Sequence, residues 1–250
     1  MADYHVVIPA RFASTRLPGK PLATIGGIPM IVRVATRAAQ AGAQSVVVAT
    51  DDKRIVDVVK EAGFEVMMTR EDHRSGSDRA MEVAESLGWC SDDIVVNVQG
   101  DEPLIPPSVI DQVAGLIEET GYGVATLCEK ILDPAELFDP NVVKVALSAT
   151  SRALYFSRAP IPYARGFFDQ VPVLLPDTQP WWRHIGIYAY RVAALRTFVD
   201  LPQSALERTE ALEQLRLLAN DIDIGVAQAL EPVPGGVDTL EDLYRMEQLV

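Results

Sequence analysis

Short apolar runs alternate with helix-length amphipathic segments through the first half of the chain, and few folds accept that alternation. Val6-Val7-Ile8, residues 45–49, residues 65–68 and Ile94-Val95-Val96-Asn97-Val98 read as strands bounded by turn residues. Pro29 suits the first turn of a helix whose apolar face is Met30, Ile31, Val34 and Ala38, with Gly42 placed as its C-terminal cap. Helices are expected over residues 53–62, closed by Gly63, over 77–87, and from Pro107 to about 119. Strand–helix–strand repeats of this kind fold as right-handed crossovers, giving an α/β protein with a mostly parallel central sheet flanked by helices.

The second half carries a different pattern. Residues 124–128, 142–147, 153–156 and 185–190 read as strands, mostly without long helices between them. A helix over 206–219, a strand over 222–227 and a last helix from about 240 complete the chain. Residues 160–180 hold five prolines and few periodic apolar positions, which reads as an excursion or a dimer-contacting loop.

Ligands of parallel sheets bind outside the carboxyl ends of the strands, and three polar clusters fall there. The first is the loop after Val6-Val7-Ile8, which carries Arg11, Arg16 and Lys20 on a segment stiffened by Pro18 and Pro21. Three cations on one restrained loop suit a polyphosphate. It is no P-loop, since Pro21 follows Lys20 and supplies no backbone N–H. The other clusters are Thr50-Asp51-Asp52 and Gln99-Gly100-Asp101, and all three are expected to converge on one crevice.

A net charge of −13 speaks against nucleic acid as a partner. It does not speak against a phosphorylated small molecule, because charges beyond a Debye length of about 8 Å are largely screened. With two cysteines lacking C-x-x-C spacing and three scattered histidines, neither a disulfide framework nor a zinc site is indicated. Any metal is then a hard, oxygen-liganded one. No apolar run reaches the roughly 18 residues of a membrane span and no signal-peptide pattern opens the chain, so a cytoplasmic protein without membrane insertion is expected.

Several residues admit two readings. Asp101, after a strand and Gly100, presents a carboxylate suited to Mg²⁺, which takes one or two carboxylates plus phosphates and water; the same placement suits a turn aspartate. Asp238 is a possible second ligand or a cap of the final helix, where Thr239 and Asp242 are spaced as a capping box. Arg79 falls in the first turn of its helix, unfavourable against the dipole unless it answers an anion. His184 and Tyr188, four positions apart, share a strand face. Glu207, Glu210 and Glu213 recur every three positions, the pattern of a solvated helix face.

Taken together, these segments resemble the CMP-Kdo synthetase family, the 3-deoxy-manno-octulosonate cytidylyltransferases. The resemblance runs through Ile8-Pro9-Ala10-Arg11, Arg16-Leu17-Pro18-Gly19-Lys20-Pro21, Val48-Ala49-Thr50-Asp51, Asp72-His73-Arg74-Ser75-Gly76 and Val96-Asn97-Val98-Gln99-Gly100-Asp101-Glu102-Pro103. It continues through Leu154-Tyr155-Phe156-Ser157-Arg158, His184-Ile185-Gly186-Ile187-Tyr188, Leu212-Glu213-Gln214-Leu215-Arg216 and Gly236-Val237-Asp238-Thr239. It implies a Rossmann-like nucleotidyltransferase fold with a smaller mixed β portion for dimerisation and sugar binding. It also implies a homodimer, and CMP transfer from CTP to 3-deoxy-D-manno-octulosonate (Kdo) for lipopolysaccharide synthesis. The chain would be one domain over 1–250: a nucleotide-binding half to about 130, a sugar-binding and dimerisation portion over about 131–235, and a metal-ligand segment with the terminal helix from 236.

Carried over by position, Arg11, Arg16 and Lys20 would hold the triphosphate, and Arg79, Gln99 and Asp101 would contribute to nucleotide binding. Asp101 and Asp238 would bind Mg²⁺, which with Lys20 and Arg16 makes the catalytic set. Arg158, His184, Tyr188, Glu213 and Gln214 would line the sugar pocket. One departure is Ser77-Asp78-Arg79, where relatives often show Thr-Glu-Arg, which bears on the reach of Arg79. The competing readings are a cytidylyltransferase for another acidic sugar, such as 8-amino-Kdo or a sialic acid, and a non-catalytic nucleotide-binding module. A dehydrogenase is disfavoured because no G-x-G-x-x-G occurs.

Overall fold

The computed structural model describes residues 2–13, 17–169, 175 and 181–250. The first half alternates as its pattern requires. Strand β1 (Tyr4–Ala10) leads through a single 3₁₀ turn at Lys20–Leu22 to a small ribbon of β2 (Thr24–Ile25) and β3 (Ile28–Pro29), then to α1 (Met30–Ala38). There follow β4 (Ser45–Thr50), α2 (Lys53–Glu61), β5 (Glu65–Met68), α3 (Gly76–Ser86), β6 (Ile94–Asn97) and α4 (Pro107–Thr120). The second half begins with β7 (Val124–Ile131), α5 (Pro134–Phe138), β8 (Lys144–Leu147) and β9 (Ala153–Ser157). It ends with the long β10 (Trp181–Arg191), α6 (Val192–Asp200), α7 (Ala205–Glu210), α8 (Leu215–Leu218), β11 (Gly225–Gln228) and α9 (Leu240–Glu247).

The main sheet runs β11-β7-β10-β6-β1-β4-β5, with β8 and β9 appended beside β10. Strands β6, β1, β4 and β5 are parallel, whereas β10 is antiparallel to both β6 and β7. The inner strands are apolar on both faces because helices cover both. Val6 and Ile8 pack with Ile31, Val34, Val109 and Val113 on one side, and Val7 and Val95 with Ala80, Val83, Leu195 and Phe198 on the other. Strand β1 is followed by a helix on one face and a neighbour, β4, on one side; β6, on its other side, is reached from α3 on the opposite face. The loops leaving β1 and β6 therefore diverge, and a crevice opens between their carboxyl ends.

Several elements differ from the sequence reading, which marked neither the short α5 nor the β2–β3 ribbon. Helix α6 was not expected: β10 runs into it directly at Arg191, so no turn residue separates two apolar patterns. The helix expected over 206–219 breaks into α7 and α8, because Ala211 adopts a left-handed conformation with φ of 52°. Gly42 does not cap α1, which ends at Ala39; its amide donates instead to Asp111 Oδ1 at 2.8 Å. Of the proline-rich stretch, 170–174 and 176–180 lie outside the described residues.

Candidate active site

Two hollows meet at the carboxyl ends of β1 and β6. One, of about 330 Å³, is bounded by Pro9, Arg11, Lys20, Gln99, Asp101 and Asp238. The second, of about 610 Å³, extends from the shared residues Arg11, Gly76 and Gln99 past Ser75 to Glu213. Together they form a cleft with room for two reactants end to end. Small residues keep its floor open. A Cβ on Gly100 would come within 2.7 Å of the Pro9 carbonyl, and one on Gly76 within 3.0 Å of the Pro9 ring.

The first hollow gathers the charge. Lys20 Nζ donates to Asp101 Oδ2 at 2.6 Å and to Asp238 Oδ1 at 3.1 Å. Burial opposes its charge, but the two carboxylates outweigh burial and hold Lys20 above the ordinary lysine value. Asp238 is carried there by the segment before α9. Thr239, not Asp238, caps that helix and forms the capping box with Asp242, and the Val237 amide donates to the Asp101 carbonyl at 2.9 Å. Arg11 is steered by its Nη2, which donates to the Arg74 carbonyl at 2.7 Å. Glu102, beside Asp101, is half-buried with its carboxyl enclosed, and burial together with the Asp101 charge pushes that carboxyl up to about 8.

The second hollow and its surroundings are rich in polar atoms awaiting partners. Glu213 Oε1, Asn97 Oδ1 and the Tyr188 hydroxyl are buried without hydrogen bonds. Native interiors tolerate few such atoms, so three near the ends of β6 and β10 and the turn before α8 suit a polyhydroxylated ligand. Burial raises Glu213 above the ordinary carboxyl range, against the pull of the Ser75 hydroxyl and Arg216. The left-handed Ala211 ends α7 and turns the chain so that Glu213 faces the cleft, while Glu207 pairs with the buried Arg216 at 2.6 and 2.9 Å.

His184 lies beside a third hollow of about 290 Å³, next to Gly186. Its ring meets Tyr188 at 5.3 Å between centroids, as the shared face requires, despite an irregularity of pairing between Ile185 and Tyr188. The Thr126 hydroxyl has one proton, which it gives to the Ile187 carbonyl at 2.7 Å or the Ile185 carbonyl at 3.0 Å. It therefore accepts from His184 Nε2–H at 3.1 Å, leaving His184 Nδ1 as an acceptor. Burial pushes His184 down to about 3, so the imidazole is neutral.

Not every expected residue reaches the cleft. Arg79 is fully buried: Nη2 donates to Asp51 Oδ2 at 2.7 Å and Nη1 donates to Thr69 Oγ1. It answers an anion, but the protein's own, and it lines neither hollow. Thr50-Asp51-Asp52 does not converge with the other two clusters, since Asp51 holds Arg79 and Asp52 caps α2 and pairs with Arg54. Arg158 is held by the Glu210 carbonyl at 2.8 Å and the Pro140 carbonyl at 2.9 Å, beside β9. Gln214 is buried at the start of α8. Arg16 lies outside the described residues. Sequence reasoning did not single out Gly100, Ser75 or Glu102 as site residues, although all three sit inside segments that it had marked.

A cytidylyltransferase family model matches residues 5–224. A 3-deoxy-manno-octulosonate cytidylyltransferase of Cellvibrio japonicus is 56% identical over 99% of this chain and 98% of its own length. One of Pseudomonas syringae pv. tomato is 54% identical over 100% and 98%. Among solved structures, a CMP:2-keto-3-deoxy-manno-octonic acid synthetase complexed with CTP superposes with a TM-score of 0.89 at 42% identity, over 99% of this chain and 98% of that one. A cytidylyltransferase of Leptospira borgpetersenii, 18% identical with a TM-score of 0.61, shares the fold.

Proposed function

The chain belongs to the 3-deoxy-manno-octulosonate cytidylyltransferase family, and from that premise we propose that it transfers CMP from CTP to the anomeric hydroxyl of Kdo, releasing pyrophosphate, for lipopolysaccharide synthesis. The observation that carries the reading is the junction of Lys20 with Asp101 and Asp238 at one end of a two-part cleft. CTP occupies the part with Lys20 and Arg11, and the sugar the part that ends at Glu213, with His184 beside the neighbouring third hollow.

The residues fit a divalent cation. Two carboxylates already converge on one positive charge, the Lys20 ammonium. Among the described residues no group of three or more His, Cys, Asp or Glu side chains is arranged to hold a metal. Mg²⁺ suits such a pair, because it takes one or two carboxylates and keeps waters and substrate phosphates as its other ligands. Asp101 and Asp238 would hold the ion, which would supply positive charge to offset that of the substrate phosphates.

The chain's own groups do the rest. Lys20, kept protonated, and Arg11 hold the triphosphate and meet the charge that grows on pyrophosphate as the α-phosphorus is attacked in line. Gln99, common to both parts, fixes the two reactants against each other. The neutral His184, its tautomer set by Thr126, offers Nδ1 to a sugar hydroxyl. The buried orphan atoms of Tyr188 and Glu213 select a polyhydroxylated acceptor over water. The enzyme acts as a cytoplasmic homodimer; exposed Phe138 and Tyr163, whose rings meet Phe168 next to the buried Trp181, support such a face.

A pyrophosphate-release assay across the four nucleoside triphosphates, with and without Kdo, tests this reading. Release is expected only with CTP and Kdo together in Mg²⁺. Equal release with a sialic acid, or none with Kdo, overturns the assignment.

A further inference from the structure

The carboxyl of Glu102 is buried one residue from Asp101, and its Oε2 has no hydrogen-bond partner. Leaving a buried acceptor unmet destabilises a fold, and a methionine or leucine would fill the same space without that penalty. The backbone here is fixed: the Glu102 amide donates to the Gln99 carbonyl, and the Ile105 amide donates to the Glu102 carbonyl, each at 3.2 Å. The side chain is therefore presented by the same turn that presents Asp101.

What it faces is the segment that carries Asp238. A Cβ on Gly236 would lie 3.1 Å from Glu102 Oε1 and 3.2 Å from the Asp101 carbonyl, so any larger residue would press the two segments apart by a few tenths of an ångström. The next residue, Val237, donates its amide to that carbonyl. Glu102 thus sits where the two ligand-bearing segments, far apart in sequence, are laid against each other. It also borders the hollow of about 290 Å³ between Gly186 and Gly235–Gly236, roomy enough for ordered water.

We propose that Glu102 is a positioning residue for the divalent cation: its carboxyl sets the gap between the Asp101 and Asp238 segments, and its buried Oε2 accepts from a water bound to the ion. This rests on the reading that Asp101 and Asp238 hold that ion. Outer partners of this kind orient ligands and waters, and removing one weakens metal binding by about 10–100-fold.

The test measures the dissociation constant of Mn²⁺ from its complex with enzyme and CTP, by water-proton relaxation, alongside thermal unfolding. Glu102→Met, which keeps bulk and removes the acceptor, is expected to weaken Mn²⁺ about tenfold or more without loss of thermal stability. Glu102→Gln, which keeps an acceptor, is expected to fall between Met and the parent, and saturating Mg²⁺ should restore much of kcat in both. Unchanged Mn²⁺ affinity in Glu102→Met reduces Glu102 to a wedge and overturns the proposal. Should that variant fail to fold, Glu102→Gln, which changes only the carboxyl, decides by the same measurement. Asp101→Asn separates the two readings. If it binds Mn²⁺ as the parent does, the cation site itself is misassigned; if it loses Mn²⁺ while Glu102→Met keeps it, only the role of Glu102 fails.

Discussion

Lys20 and Asp238 stand 218 positions apart in the chain, and Lys20 Nζ lies 3.1 Å from Asp238 Oδ1. The same ammonium reaches Asp101 at 2.6 Å, so three segments from both ends and the middle of the chain close on one point. Asp101→Asn leaves the shape and removes one charge from that point. Turnover should fall by roughly two to three orders of magnitude, the scale of deleting one positioned electrostatic group. Turnover near the parent's at saturating Mg²⁺ would refute the assignment.

Arg79 and Asp51 form an ion pair under the sheet edge, with Arg79 fully buried and Thr69 on its other nitrogen. Removing one partner strands the other, which costs about 3–5 kcal/mol when the pair is buried. Asp51 keeps some exposure, so Arg79→Ala should fall at the lower end, read as a drop in the urea midpoint. Because Arg79 lines neither hollow, the KM for CTP of the folded fraction should move by less than about threefold, under 1 kcal/mol. A large KM effect at unchanged stability would return Arg79 to the nucleotide site.

His184 predicts a pH dependence of stability. Its imidazole titrates near 6.5 when unfolded and is pushed by burial down to about 3 in the fold. Between those values the unfolded chain binds a proton that the native one refuses. Stability is therefore full above about pH 6.5 and falls as the pH drops, by up to about 1.4 kcal/mol per unit. His184→Gln removes this contribution, so its unfolding free energy should decline less steeply than the parent's between pH 6 and 4. Parallel slopes would mean that His184 is charged in the fold.

Much of this arrangement is legible in the residues themselves. The alternation of apolar runs and helices dictates the parallel strands, and strand ends dictate where Arg11, Lys20, Gln99 and Asp101 meet. The spacing of Thr239 and Asp242 marks the capping box but leaves Asp238 or Thr239 as the cap; the structure assigns Thr239, leaving Asp238 to reach Lys20. Other features are set by tertiary contacts that spacing does not encode. Glu207, Glu210 and Glu213 look like one solvated row, yet Glu207 is buried on Arg216 and the left-handed Ala211 separates it from Glu213. Arg79 could be foreseen to answer an anion, but only packing chooses Asp51 over a phosphate. Helix α6 was hidden because Arg191 joins strand to helix without punctuation.

Gly100 separates the strand that ends in Asn97 from the carboxylate of Asp101 and passes close over Pro9. A Cβ at this position would meet the Pro9 carbonyl at 2.7 Å and Ile31 Cδ1 at 3.6 Å. The isoleucine methyl can turn aside, but the carbonyl belongs to the backbone of β1, which is paired to β4 up to Ala10. The loop after β6 must therefore shift, taking Asp101 away from Lys20 and Asp238. Gly100→Ala should lose at least about tenfold in kcat/KM, since displacements of about 1 Å at a reacting centre can cost a hundredfold. Stability should fall by about 1–3 kcal/mol, the range for overpacking a well-filled site. Steady-state kinetics with urea unfolding on the same preparation check both. Activity at the parent's level would mean that the loop after β6 has slack, and that the approach of Asp101 to Lys20 does not depend on the close passage over Pro9.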